Sequence, residues 1–132
     1  MNTPSTTWRD STLDAEVNIL SGGTPKTSVK EYWNGDVPWL SVADFNTENR
    51  WIDRAVKSIT KLGVENSATT VLDIGDLIIS ARGTVGALAQ VKTRMAFNQS
   101  CYGLRAKDTT TNDFLYYLVK SKIISDAVLS KV

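Results

Sequence analysis

The sequence contains no histidine. That removes the commonest general base, the usual partner of a serine or cysteine nucleophile and the commonest metal ligand. Asp, Glu and Lys remain for proton transfer, but many hydrolase arrangements are closed. Cysteine is nearly missing as well. Cys101 stands alone, so the chain forms no internal disulfide and offers no multi-cysteine zinc site. It reads as a small buried apolar residue. Long hydrophobic runs are lacking, and nothing approaches the roughly 18 uninterrupted apolar residues of a membrane helix. The start of the chain, Met1 to Thr12, has neither the basic opening nor the apolar run of a secretory signal. Export is therefore not expected, and a reducing cytoplasm is. Charge of one sign is scarce too: Lys and Arg number 15 against 14 acids, which points to no partner.

What is present suits one globular domain. The chain has 132 residues, 42% hydrophobic and 22% charged, enough to bury a single modest core. The distribution of charge says more than its sum. From Leu77 to Lys107 the charged residues are Arg82, Lys92, Arg94, Arg105 and Lys107, with no acid among them. A second cluster, Arg50, Arg54, Lys57 and Lys61, is interrupted only by Asp53. If these segments share a face, the domain has a positive side despite its neutral total. The bland alternative is scattered, solvated charge.

Local patterns predict mostly strands and turns. A short helix is expected within Trp8–Glu16, then a strand over Val17–Leu20 running into the loop Ser21-Gly22-Gly23-Thr24-Pro25. A turn or short helix is expected around Val29–Trp33, and Asn34-Gly35 reads as a turn dipeptide. Val37–Val42 reads as a strand, placed at a sheet edge by Pro38. Trp51-Ile52 and Lys57–Ile59 are short strands, and Thr60 is a cap for a brief helix over Lys61–Asn66. Leu77–Arg82 and Ala87–Lys92 flank the tight loop Gly83-Thr84-Val85-Gly86 and predict a hairpin. Met95–Phe97 and Cys101–Ala106 are expected as a further strand pair. Asn112 is the expected cap of a closing helix, with Phe114, Leu115, Leu118, Val119 and Ile123 as its buried stripe. Strands followed by a closing helix make the fold α+β, one compact domain with a mixed or antiparallel sheet, several short helices and prominent loops.

Three motifs tempt and fail. Gly22-Gly23-Thr24-Pro25-Lys26-Thr27 lacks the glycine before lysine of a phosphate loop, and Pro25 has no N–H to offer there. Val71-Leu72-Asp73-Ile74-Gly75 opens like the first strand of an S-adenosylmethionine methyltransferase, but the chain re-enters a strand where a glycine-rich turn should follow. Gly83-Thr84-Val85-Gly86 lacks the third glycine of a dinucleotide fingerprint. Trp33, Trp39 and Trp51 suit base stacking in principle, but core or rim packing is the commoner use of Trp in a small domain.

Five segments together are more specific than any one. They are Ser21–Thr27, Tyr32–Ser41 (YWNGDVPWLS), Asp76–Gly86 (DLIISARGTVG), Met95–Tyr102 (MAFNQSCY) and Phe114–Leu118 (FLYYL). Their order and spacing resemble the target-recognition domain of specificity subunits of type I restriction-modification enzymes, over Trp8 to Ser121. The resemblance implies sequence-specific recognition of double-stranded DNA without catalysis. It implies two such domains per full subunit, each reading half of a split site and separated by long pairing helices. Modification subunits then supply the methyltransferase with its S-adenosylmethionine, and a restriction subunit supplies nuclease and ATP-driven translocation. No cofactor is expected on this chain itself. Residues 1–122 correspond to the recognition domain and 123–132 to the stump of the spacer helix.

Specific roles follow. Affinity for DNA needs Lys and Arg near phosphates, and specificity needs short polar side chains at base edges. Lys26, Thr27 and Lys30 suit phosphate contact. Arg82 beside Gly83 and Thr84 suits a guanine edge or a phosphate, with a turn carboxylate such as Asp76 as its bland partner. Asn98 and Gln99 carry the donor–acceptor pair that fits adenine, and Ser100 adjoins them. The same three residues also suit the fastening of a turn, Asn98 above all. Residues shared by domains that read different targets cannot all be base readers, so Asp44–Lys57 and Lys92–Arg94 are the better places for specificity. Two other functions stay open: a module that binds a modification subunit through its C-terminal helix without touching DNA, and a degenerate methyltransferase fragment.

Overall fold

Period-two alternation decides where each strand's side chains go. The structure, a computed structural model, describes residues 17–80 and 86–129, the side chains of 126–129 aside. In chain order it comprises β1 (Val17–Ser21), a 3-10 turn (Lys30–Tyr32), β2 (Trp33–Leu40), α1 (Val42–Phe45), β3 (Trp51–Ile52) and β4 (Lys57–Ile59). Then come α2 (Lys61–Glu65), β5 (Leu77–Ser80), β6 (Leu88–Val91), β7 (Ala96–Phe97), β8 (Cys101–Ala106) and α3 (Asn112–Leu129). A five-stranded sheet has the order β1-β8-β5-β6-β3, and a three-stranded sheet has the order β4-β2-β7. The fold is α+β with mixed sheets, as expected. The helix expected within Trp8–Glu16 and the tight loop at residues 83–85 lie outside the described residues.

The large sheet is covered on both faces. Leu77 and Leu88 point toward α3, where they meet Leu115, Tyr116 and Val119. Their neighbours Ile78 and Ala89 point the other way, into a cluster with Leu40, Phe45, Leu72, Met95 and Phe97. Burying each large apolar side chain contributes about 1.5–3 kcal/mol before entropy is subtracted. The small sheet has its own nucleus in Trp39, Ile59 and Ala96.

Five expectations are corrected. β2 is a central strand, flanked by β4 and β7, not an edge. Pro38 is tolerated because β7 reaches only Trp39 and Leu40, so no ladder bond on that side is needed at Pro38. Asn34-Gly35 is no chain reversal either. It lies inside β2 as an irregularity where the register to β4 shifts, with Asn34 at a φ of 62°. β7 and β8 do not pair with each other: β7 joins β2 in parallel, whereas β8 lies between β1 and β5. On α3, Tyr116 is buried and Phe114 is 51% exposed. The cap is Thr111, whose hydroxyl accepts from the Phe114 N–H at 3.1 Å. Asn112 turns away instead, accepting from the Ala106 N–H at 2.7 Å.

Two polar clusters join α3 to the sheet. Asp76, only 1% exposed, accepts from Arg105 Nη2 at 2.6 Å and from Nε at 3.0 and 3.1 Å. It also accepts from the Asp73 N–H at 2.8 Å and from Asn112 Nδ2 at 3.3 Å. The hydrogen-bonded carboxylate holds the Arg105 guanidinium above its ordinary pKa. On the other side, Arg50 donates to Gln90 Oε1 (2.8 Å), Tyr117 Oη (3.0 Å) and Asp113 Oδ1 (3.0 Å). Its guanidinium carbon also lies 4.7–4.9 Å from the ring centres of Trp51, Tyr116 and Tyr117.

Candidate functional site

Three segments distant in sequence are stitched together at one end of the large sheet. β1 ends there at Ser21, β5 at Ser80, and β8 begins there at Cys101, as the pairs Ser21↔Tyr102 and Ser80↔Cys101 require. The loop after β1 leaves with Gly22 and Gly23. A Cβ on Gly22 would collide with the Asn98 carbonyl, and one on Gly23 would stand 2.6 Å from the Thr69 nitrogen. Only glycine permits so close an approach of three backbones. The Gly23 N–H donates to the Phe97 carbonyl at 3.0 Å, and the Thr70 N–H donates to the Ser21 carbonyl at 3.2 Å. Thr69 Oγ1 both donates to the Phe97 carbonyl and accepts from the Phe97 N–H.

The two indoles act as fasteners for the first loop. Trp39 Nε1 donates to the Gly23 carbonyl at 2.9 Å, and Trp33 Nε1 donates to the Lys26 carbonyl at 3.2 Å. The rings meet edge-to-face with centres 5.2 Å apart. Packing, not stacking on bases, is therefore the use of Trp33 and Trp39. Lys26, Thr27 and Lys30 stand exposed on the loop so fixed.

The turn between β7 and β8 divides its labour. Asn98 Oδ1 accepts from the Ser100 N–H at 3.0 Å and from the Cys101 thiol at 3.4 Å, while the Asn98 N–H donates to the Leu40 carbonyl at 2.9 Å. Asn98 is the fastener of this turn. Gln99 is exposed and accepts from Thr24 Oγ1, which ties the turn to the first loop. Cys101 behind them is fully buried, and burial, with Asp44 adding, pushes its thiol up to about 12.

The structure divides the candidate residues between two ends. Lys26, Thr27, Lys30, Asn98, Gln99 and Ser100 gather at the end just described. Arg82, Gly83 and Thr84 lie outside the described residues, although Ser80 and Ala87, which bracket that segment, are joined there (Ser80 N–H to Ala87 carbonyl, 3.1 Å). Lys92 and Arg94 follow β6 at the opposite end, where Val91 pairs with Ile52. Arg94 faces Asp73 at 3.6 Å in an exposed pair worth little. The acid-free stretch from Leu77 to Lys107 is thus not a bare positive strip. Asp73 and Asp76, just upstream, engage Arg94 and Arg105. Asp76 is the partner of Arg105, a pairing that spacing along the chain does not signal.

Among the described residues no group of acids and cysteine could hold a metal ion, and no helix is long and apolar enough to cross a membrane. Comparison with known proteins decides the family. The family of the type I restriction modification DNA specificity domain matches residues 6–131. The chain belongs to this family. The specificity subunit of the type I restriction enzyme MjaIX from Methanocaldococcus jannaschii is 33% identical over 109 residues, covering 82% of this chain and 25% of that subunit. The Escherichia coli EcoprrI specificity subunit is 28% identical over 110 residues, covering 80% and 27%. Among solved structures, the HsdS subunit from Thermoanaerobacter tengcongensis superposes with a TM-score of 0.62 at 23% identity, over 82% of this chain and 26% of that one. That likeness speaks for the fold. The specificity domain described here thus spans about a quarter of the length of these relatives.

Proposed function

We propose that the chain reads one half of a split target on double-stranded DNA, as the specificity component of a type I restriction-modification system. The observation that carries this reading is the stitched loop face: polar, exposed side chains on three loops that glycines, threonines and two indoles hold rigid. Preorganised loops lose little freedom on binding, so more of the contact energy is available for discriminating between sequences. On this reading Lys26, Thr27 and Lys30 meet phosphates, and Gln99 and Ser100 approach base edges beside them. Arg82, Gly83 and Thr84 are assigned to DNA contact as well, from the sequence. Contacts from Lys92 and Arg94 require a duplex running the length of the sheet.

The domain itself performs no chemistry and takes no cofactor. The methyltransferase with its S-adenosylmethionine, and the ATP-driven nuclease, belong to modification and restriction subunits in the cytoplasm. α3 from residue 123 onward is the start of the spacer helix. The exposed Phe114, Tyr117 and Ile124 suit docking of that helix on a modification subunit or on a second recognition domain.

An anisotropy titration with random-sequence duplex tests the reading. The expected result is salt-dependent binding with a Kd of about 10⁻⁴–10⁻⁶ M, tightening when a modification subunit is added. No binding at low salt in either setting refutes it. Calorimetry with S-adenosylmethionine is expected to show no heat of binding.

A further inference from the structure

The cations of this domain fall into two groups, those paired within the fold and those without an ion pair among the described residues. Arg50, Arg94 and Arg105 each face a carboxylate within the fold. Among the described residues no ion pair involves Lys26, Lys30, Lys57 or Lys61, all of which are exposed. All four lie on segments that adjoin the Trp33–Trp39 pair or its strand β2. Lys26 is held through its carbonyl by Trp33. Lys57, paired with Trp39 across β4 and β2, places Nζ 6.0 Å from the Trp39 ring centre. Lys61 follows Thr60, whose N–H donates to the Tyr32 carbonyl and whose hydroxyl donates to the Glu31 carbonyl beside Lys30. The acids in this region, Glu31, Asp36, Asp44, Asp53 and Glu65, make no ion pair with them among the described residues, although Asp44 Oδ1 accepts from the Val56 N–H beside Lys57 at 3.0 Å.

We propose that Lys57 and Lys61, on the three-stranded sheet, are DNA phosphate contacts continuous with Lys26 and Lys30, so that the duplex backbone lies over the Trp33–Trp39 side of the loop face. The inference rests on the DNA-recognition reading above and adds where the backbone runs. A cation already paired inside the fold releases no counterion from DNA, whereas a free lysine against a phosphate does. The backbone's path is therefore set by unpaired lysines and not by Arg94 and Arg105 of the central segment, which face carboxylates. Trp39 gives Lys57 a fixed position, because an ammonium over an indole face is attracted without losing its charge. The edge-to-face indoles in turn anchor the loop bearing Lys26, so the four cations move as one surface.

The test is the salt dependence of random-duplex binding by the 132-residue chain and its variants. Each lost phosphate contact lowers the slope of log affinity against log salt by about 0.9. Lys57→Ala and Lys61→Ala are each expected to show that drop, Lys57→Arg and Lys61→Arg to retain the parental slope, and Lys107→Ala, beyond the far end of β8, to leave it unchanged. The double Ala variant's affinity deficit then narrows about 12-fold between about 50 and about 200 mM salt. Circular dichroism confirms that each variant is folded. Parental binding with unchanged slopes for Lys57→Ala and Lys61→Ala overturns this placement and leaves DNA recognition standing. An equal drop for Lys107→Ala shows diffuse attraction and also overturns it. No duplex binding by the parent, alone or with a modification subunit, removes both.

Discussion

Replacing Arg105 by alanine tests the polar cluster that locks α3 and β8 to the start of β5. The substitution leaves Asp76, 1% exposed, with two neutral donors: the Asp73 N–H at 2.8 Å and Asn112 Nδ2 at 3.3 Å. Breaking a buried ion pair by removing one partner costs about 3–5 kcal/mol. The Arg105 side chain is 35% exposed, so water already shares its charge, and the lower end of that range applies. A loss of about 3 kcal/mol is expected for Arg105→Ala. Asp76→Ala should lose about as much, since charge-assisted hydrogen bonds are worth about 1.5–3 kcal/mol each. If the two act as one unit, the double variant loses about 4 kcal/mol, a coupling of about 2 kcal/mol. Urea unfolding of the four proteins measures this directly, and the single variants should melt about 12 °C lower than the parent. Arg105→Lys should fall between, because an ammonium cannot reproduce the fork on both carboxylate oxygens. A change under about 0.5 kcal/mol for Arg105→Ala, with no coupling, would show that the pair holds nothing together.

Two other outcomes follow from named contacts. Arg50→Ala removes three hydrogen bonds and three ring contacts between α3 and the β3–β6 edge, and should lower stability by about 2–3 kcal/mol; amide exchange should rise first in α3, and uniform exchange would count against a local role. For Cys101, whose thiol burial raises from 9.0 to about 12, the folded state holds its proton more tightly than the unfolded chain. The contribution is complete below pH 9.0 and is lost as pH climbs toward about 12, so alkaline unfolding should ease in the parent more than in Cys101→Ala. A disulfide reagent at neutral pH should react only on unfolding, and rapid reaction with the native protein contradicts the assignment.

The strands were legible because they obey local rules. Leu77-Ile78-Ile79 and the turn residues around it mark β5 within its own neighbourhood, and Thr60 caps α2 as its position three residues before Gly63 suggests. Partnership was not legible. Met95–Phe97 and Cys101–Ala106 look like a hairpin, yet Asn98 fixes its N–H to Leu40, and the chain changes sheets within a three-residue turn. The helix face was misjudged for a similar reason: Tyr116 is buried against Leu77 and Leu88 of the sheet, with Arg50, 66 positions earlier, over its ring. In the site, glycine-rich loops and Asn98-Gln99-Ser100 stood out, but the end of the sheet on which each lands depends on strand pairing. Lys92 and Arg94 were grouped with them as part of an acid-free basic stretch outside the shared motifs, and antiparallel reversal at β6 carries them away.

The large sheet places its first strand beside its last, with β8 also forming the inner neighbour of β5. A ribosome releasing this polypeptide must therefore extrude everything through Ala106 before β1 gains its neighbouring strand β8, and the β5–β6 hairpin waits with one flank bare. Completion of the large sheet is consequently a late event, and in nascent chains arrested earlier β1 should remain sensitive to protease.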